Sequence, residues 1–231
     1  MGKAEAIRAG VAAANTLLKV TFAPECAACG SPLASPLDGC VCVRCWLSIE
    51  PPPKVEWPAG PLVKATAAGE YAGSLRQIIH AFKYDGRRSL ARPLGDLMRA
   101  SGHDVLDGAD CIVPVPLHPW RRMRRGFNQA ADLAVALGPP VCRLLWRARA
   151  TAPQADLSAA DRRRNVSRAF RLSPLVRADT RSALHGQVVV LVDDVRTTGA
   201  TLHACAKVLA AAGANEVRAL TVAVRGVTAG P

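Results

Sequence analysis

Apolar positions along the chain alternate between helical and strand-like spacing. Over residues 75–82, Leu75, Ile78, Ile79 and Phe82 recur on one helical face, which predicts an amphipathic helix. A second helix is expected over 90–98. Cys111-Ile112-Val113-Pro114-Val115 is a short apolar run that ends at prolines, and it predicts a buried strand. An Ala-rich helix is expected over 128–137, stopped by Gly138-Pro139-Pro140. The all-aliphatic run Val188-Val189-Val190-Leu191-Val192 predicts another buried strand. A helix over 201–212, stopped by Gly213, and a strand over 217–224 complete the series. Strands alternating with helices imply βαβ units and a mainly parallel sheet, whose ligands gather at the carboxyl ends of the strands. Near the N-terminus, residues 1–20 predict a short amphipathic helix with Ile7, Val11, Leu17 and Leu18 turned inward.

A break follows at Pro51-Pro52-Pro53, with Pro58 and Pro61 beyond it. It divides the chain into a helix and Cys-bearing module (1–50), a linker (51–65) and a main domain (66–231). The 231 residues are 50% hydrophobic but only 4% aromatic, so the core is aliphatic. A 21% charged fraction excludes wholesale disorder. The longest aliphatic strand-like run has five residues, far short of the roughly 20 that a spanning helix needs. Glu5, Arg8 and Asn15 interrupt any export-signal pattern. The expected compartment is therefore the reducing cytoplasm, where eight cysteines do not form a disulfide framework.

Five of those cysteines fall between 26 and 45, spaced Cys26-x2-Cys29 and, after twelve residues, Cys42-x2-Cys45. Two such knuckles present four thiolates to one tetrahedral ion, and four protein ligands leave no open position, so the site reads as structural Zn²⁺. Gly30 follows the first knuckle, where the turn calls for positive φ. Cys40 is a fifth candidate, set aside because Cys42 and Cys45 repeat the x2 spacing. Free thiols or a redox pair are the alternatives.

The richest stretch is Val188-Val189-Val190-Leu191-Val192-Asp193-Asp194-Val195-Arg196-Thr197-Thr198-Gly199-Ala200-Thr201. A strand delivers two carboxylates suited to vicinal sugar hydroxyls or Mg²⁺. The loop of small hydroxyl residues then points N–H groups at a phosphate, aided by the dipole of the helix that follows. Gly199 lets the backbone approach without a Cβ. The spacing is neither a Walker loop nor a Gly-x-Gly-x2-Gly fingerprint.

That string resembles the 5-phosphoribosyl 1-pyrophosphate (PRPP) motif of type I phosphoribosyltransferases. The remaining motifs resemble one branch, the competence protein F (ComF) family. They are the four-Cys module, Ala81-Phe82-Lys83-Tyr84-Asp85-Gly86, Val113-Pro114-Val115-Pro116-Leu117-His118-Pro119, Arg124-Arg125-Gly126-Phe127-Asn128-Gln129, Thr151-x2-Gln154 and Arg162-x2-Asn165-Val166. The resemblance runs from about residue 22 to the C-terminus. It implies a type I phosphoribosyltransferase-like (Rossmann-like) α/β domain with a mainly parallel sheet flanked by helices, plus a small zinc-ribbon-like module. It also implies residue roles. Asp193 and Asp194 meet the ribose hydroxyls and Mg²⁺. Val195, Arg196, Thr197, Thr198, Gly199, Ala200 and Thr201 cradle the 5-phosphate, with Arg196 an added donor. Pro116, Leu117 and His118 form the pyrophosphate loop, with Arg121 and Arg125 beyond it. Residues 147–168, including Gln154, Arg162 and Asn165, form a flap that closes over PRPP. Lys83 is a further phosphate contact, or simply a cation at a helix C-terminus.

Thirty Lys and Arg against 18 Asp and Glu give a net charge of +12, which favours polyanions; high-GC coding, which raises Ala and Arg together, produces the same excess. Two functions follow from the resemblance. One is Mg²⁺-dependent transfer of a phosphoribosyl group from PRPP to an unidentified acceptor. The other is a competence-type accessory role in DNA uptake, binding single-stranded DNA or a helicase partner, with PRPP a regulator or the site a relic. A nucleobase-salvage enzyme lacks a base-recognition element in this sequence. A homodimer is left open.

Overall fold

The structure, a computed structural model, describes residues 2–55, 57, 60–117, 123, 125–148, 169–176 and 184–226. The chain divides into two compact units, 1–50 with 72–90, and 51–71 with 91–231. The segment 72–90 thus belongs with the cysteine module. β1 (Leu62–Glu70) begins inside the proline-rich stretch 51–65.

In the first unit, α1 (Lys3–Phe22) is followed by a short 3-10 turn, Pro36–Asp38, then α2 (Val43–Leu47), α3 (Gly73–Tyr84) and a second 3-10 turn, Arg88–Leu90. The inward face expected for α1 is not formed: Ile7, Val11 and Leu17 are exposed and Leu18 is half-buried. The helix rests instead on the Pro36–Asp38 turn, through buried Asn15, whose Oδ1 accepts the Leu37 N–H at 3.0 Å. That short turn offers too little apolar surface to cover a helix face. In α3, by contrast, Leu75, Ile78, Ile79 and Phe82 are all buried, as their spacing predicts.

The second unit holds a four-stranded parallel sheet in the order β1-β6-β5-β2. Its other strands are β2 (Cys111–Pro114), β5 (Val188–Arg196) and β6 (Glu216–Val224). A separate antiparallel pair joins β3 (Leu145–Arg147) to β4 (Phe170–Leu172). Among the described residues its helices are α4 (Ala91–Ser101), the short α5 (His103–Leu106), α6 (Gln129–Val135) and α7 (Ala200–Ala211). Strand alternation sorts the core into two layers. Val113, Val189, Leu191, Val217 and Ala219 pack with Leu202, Cys205, Ala206 and Leu209 of α7. On the other face α6 packs on β5 and β2, and α4 on β1 and β6. Leu191 is fully buried, and truncating such a side chain to Ala costs about 2–5 kcal/mol.

The strand expected to stop at Val192 runs on to Arg196, because β6 continues to pair with it from Asp193↔Thr221 to Arg196↔Val224. The acids are therefore strand residues, held by the ladder rather than by a loop.

Candidate functional site

Asp193 and Asp194 are adjacent on β5, so their side chains leave opposite faces of the sheet. Asp193 continues the Val189–Leu191 row toward α7. Burial drives the Cys205 thiol pKa well above its ordinary value, and the charge of Asp193 is the next cause. Asp194 is buried on the α6 side. The Asp194 N–H donates to Asp193 Oδ1 at 2.9 Å, fixing the first carboxylate against the backbone.

Arg196 is the last residue of β5. Its guanidinium lies 4.3 Å from the Trp57 ring centroid and is nearly buried. Burial lowers its pKa; the indole face offsets part of that cost. Beyond Arg196 the chain turns sharply. Thr197 and Thr198 are exposed, and Gly199 takes φ +75° as the N-cap of α7. A Cβ in that conformation is strained. The Ala200 N–H donates to Thr198 Oγ1 at 3.4 Å, and the His203 N–H to the Gly199 carbonyl at 2.9 Å. A twelve-residue helix thus starts at the loop with its positive end toward it. The strand, acids, αL glycine and helix N-terminus occur in the order an anion cradle requires.

Beside β5, β2 ends at the same level: Pro114 pairs with Val192, and the Val115 N–H donates to the Val192 carbonyl at 2.9 Å. Pro116 and Leu117, both half-buried, leave the sheet next to the acids. The motif Gly126-Phe127-Asn128-Gln129 is pinned to that strand end. Asn128 caps α6, accepting the Ala130 N–H at 3.2 Å, while its Nδ2 donates to the Val115 carbonyl at 3.2 Å. Gly126 has φ +77° and Phe127 is buried. Arg125 Nη1 donates to Gln129 Oε1 at 3.1 Å. Sequence reasoning gave no role to Trp57 or Gln129. An Asn ahead of a helical run signals a cap, but nothing local pairs Trp57 with Arg196.

The parallel register thus gathers Asp193, Asp194, Val195, Arg196, Thr197, Thr198, Gly199, Ala200, Thr201, Pro116, Leu117 and Arg125 at one end of the second unit's sheet. Lys83 is in the last turn of α3, in the first unit. His118, Arg121, Gln154, Arg162 and Asn165 lie outside the described residues.

In the first unit, the Sγ atoms of Cys26, Cys29, Cys42 and Cys45 lie within 4.8 Å of one another. Cys26–Cys45 and Cys29–Cys42 are each 3.9 Å apart, close to the roughly 3.8 Å edge of a tetrahedron with metal–sulfur bonds of about 2.3 Å. Local backbone makes this arrangement. The Gly30 N–H bonds the Cys26 carbonyl with Gly30 at φ +71°, and the Trp46 N–H bonds the Cys42 carbonyl. The Ala28 and Cys42 N–H groups point at Cys26 Sγ, at 3.4 and 3.3 Å. Burial opposes ionisation of Cys26, but those donors outweigh it and lower its pKa. Hydrogen bonds from Ser31 bring Cys29 down to about 6, while burial pushes Cys45 up to about 12. Cys40 Sγ sits instead 4.0 Å from Ser89 Oγ. The donor set is closed and all-sulfur, and it fits a soft or borderline ion.

The phosphoribosyl transferase domain family matches residues 123–231. Competence protein F of Haemophilus influenzae is 34% identical over 165 residues, covering 67% of this chain and 70% of that one. The DNA utilization protein YhgH of Escherichia coli K12 is 35% identical over 207 residues, covering 84% and 81%. Competence protein ComFC of Bacillus subtilis is 32% identical over 133 residues, covering 58% and 47%. Among solved structures, the allosteric regulatory enzyme of purine biosynthesis matches with TM-score 0.37 at 24% identity, over 58% of this chain and 26% of its own length. A Staphylococcus aureus hypoxanthine phosphoribosyltransferase matches with TM-score 0.33 at 12% identity, over 64% and 70%. This chain spans about a quarter of the purine enzyme. The chain belongs to the competence protein F/YhgH family, with a phosphoribosyltransferase domain.

Proposed function

We propose that this competence protein F family member binds Mg²⁺-PRPP at the carboxyl end of its sheet and transfers the phosphoribosyl group to an unidentified acceptor. One observation carries the reading: the αL turn at Gly199 joins the Asp193-Asp194 strand to the N-terminus of α7. In this reading Val195–Thr201 takes the 5-phosphate, with Arg196 backing the loop from its stack on Trp57. Asp193 and Asp194 take the ribose hydroxyls and hold Mg²⁺, which supplies charge neutralisation at the diphosphate when bound. Pro116, Leu117, His118, Arg121 and Arg125 take the pyrophosphate. Gln154, Arg162 and Asn165 belong to a flap that excludes water. Such a site acts by positioning and by stabilising charge, with no protein nucleophile. Lys83 is a further phosphate contact on the strength of its motif, Phe82-Lys83-Tyr84-Asp85-Gly86.

Cys26, Cys29, Cys42 and Cys45 hold one structural Zn²⁺. The reduced cysteines suit a cytoplasmic protein, and among the described residues no helix is long and apolar enough to cross a membrane. Calorimetric titration with PRPP, with and without Mg²⁺, followed by an acceptor screen, tests the transferase reading. Absence of binding in both titrations defeats it.

A second reading, binding of single-stranded DNA with PRPP as regulator, is favoured by the outer face of α3. Arg76, His80 and Tyr84 stand one turn apart there and are exposed, with Arg87 and Arg88 just beyond. The His80 and Tyr84 rings are 4.8 Å apart. Two adjacent rings, tilted at 45° to each other and flanked by cations, suit bases and phosphates, and relatives carry DNA utilization in their names. Tyr84→Ala with Arg87→Gln and Arg88→Gln is expected to weaken oligo-dT binding and flatten its salt dependence. Unchanged binding removes this reading, and with it a direct path to a helicase partner on DNA.

A further inference from the structure

The turn 197–199 joins β5 to α7. Thr197 and Thr198 are exposed, so the turn has little packing of its own. Each of its two ends rests on a residue that precedes β1. At the β5 end, the Arg196 guanidinium lies over the Trp57 ring, 4.3 Å from its centroid. Trp57 in turn packs against the buried layer shared by β5 and α7. At the α7 end, the His203 N–H donates to the Gly199 carbonyl at 2.9 Å, and the His203 ring lies against Gly60. A Cβ added to Gly60 would sit 2.2 Å from His203 Cε1, so only glycine permits this approach.

Both contacts cost stability. Arg196 is nearly buried, and burying a cation is unfavourable where an apolar side chain is not. His203 Nδ1 is buried with no hydrogen-bond partner among the described residues, which carries its own penalty. Burial, and then the charge of Lys207, lower the His203 pKa, so the ring is neutral at neutral pH and brings no charge to a phosphate. Groups kept where they cost stability point to function. We propose that Trp57 and Gly60 are positioning residues: through Arg196 and His203 they brace the two ends of the 197–199 turn in the conformation that receives the 5-phosphate of PRPP. This rests on the PRPP reading above. A turn held in its binding-competent form loses no affinity to other conformations, and less ordering remains for the ligand to impose.

The test titrates ribose 5-phosphate, PRPP and Mg²⁺-pyrophosphate into the full chain as wild type, Trp57→Leu, Trp57→Phe, His203→Ala, Arg196→Met and the double variant Trp57→Leu with Arg196→Met. Trp57→Leu is expected to weaken ribose 5-phosphate and PRPP about tenfold, the scale of one desolvated cation–π contact. Trp57→Phe keeps a ring under the guanidinium and recovers affinity to within about threefold of wild type. His203→Ala keeps the backbone bond to Gly199 and loses about threefold. Mg²⁺-pyrophosphate, whose end of the site lies at Pro116-Leu117, stays within about twofold in all three. In the Arg196→Met background Trp57→Leu adds nothing further, since the two act as one unit. Unchanged ribose 5-phosphate affinity in Trp57→Leu or His203→Ala, a Trp57→Phe variant as weak as Trp57→Leu, an equal loss for pyrophosphate, or additive losses in the double variant overturn the proposal while leaving PRPP binding standing. A wild type that binds neither PRPP nor ribose 5-phosphate overturns the PRPP reading and this proposal together.

Discussion

Around the four cysteines there is hardly any apolar interior: Cys26, Leu33, Val41 and Cys45 are the buried side chains of 23–50. Under the loop 197–199, Val189, Leu191, Leu202, Cys205, Ala206 and Leu209 form a continuous buried layer. The contrast separates two ways of holding a ligand. Within 23–50 the cysteines have no comparable core of their own, the other buried apolar side chains of that unit lying on α3 and at Leu90, so on the zinc reading the ion and the local shape stand together. The loop is shaped in advance by a parallel sheet, so on the PRPP reading its ligand arrives at geometry already set. The first should collapse when its ion leaves; the second should survive its empty state and lose only affinity when edited.

The largest expected effect comes from removing the ion. Structural zinc in small domains contributes roughly 10–16 kcal/mol of apparent binding energy at neutral pH. Cys26→Ser or Cys45→Ser is expected to reduce metal content from one per chain to near zero and to abolish hydrogen-exchange protection in 24–47. The sheet of 62–226 should keep its protection. Cys40→Ser should retain the metal; loss there with retention in Cys42→Ser breaks the assignment. Metal analysis with exchange mass spectrometry decides it.

Next is Asp193→Asn with Asp194→Asn, which keeps shape and removes two charges. Mg²⁺-PRPP at a hundredfold excess over its dissociation constant stabilises a folded protein by about 2.7 kcal/mol. Thermal unfolding should show that gain in wild type and none in the double variant, while its unliganded fold persists.

Gly199→Val should do both kinds of damage on a smaller scale. The φ of +75° imposes roughly 1–2 kcal/mol on a side chain with a Cβ, so the unliganded protein melts lower and PRPP binding disappears. A variant that binds normally shows that the backbone does not touch phosphate.

The smallest effect tests an ion pair at the start of β6, the end of that strand away from the loop. Arg218 Nε donates to Glu216 Oε1 at 2.8 Å, and that hydrogen bond lowers the Glu216 pKa. A depressed carboxylate stabilises above its ordinary pKa and loses that contribution as pH falls through the folded value. Glu216→Gln should therefore cost under about 1 kcal/mol at neutral pH and nothing in strong acid, where the carboxylate is protonated in both states. Urea unfolding at several pH values reads this.

The cluster was legible because its ligands are local in sequence and its spacing has few other uses. The loop was legible for the same reason: strand, acids, glycine and helix follow one another without interruption. β1 was not, since Leu62–Glu70 reads Leu-Val-Lys-Ala-Thr-Ala-Ala-Gly-Glu, with weak β propensity, and becomes a strand through its ladder with β6. The β3–β4 pair, of three residues each, is too short for any period to show. The α1 face was misread because helical spacing marks which residues share a side, not whether anything covers it. Arg196 meeting Trp57, and Gln129 meeting Arg125 beside a strand end, are tertiary facts, and no local pattern encodes them.

Hydrogen exchange of the zinc-loaded chain with and without saturating Mg²⁺-PRPP bears most directly on the central claim. Ligand should slow exchange in 193–203 and around 115–117, and leave 24–47 as it was. Equal exchange in 193–203 with and without PRPP would contradict the account.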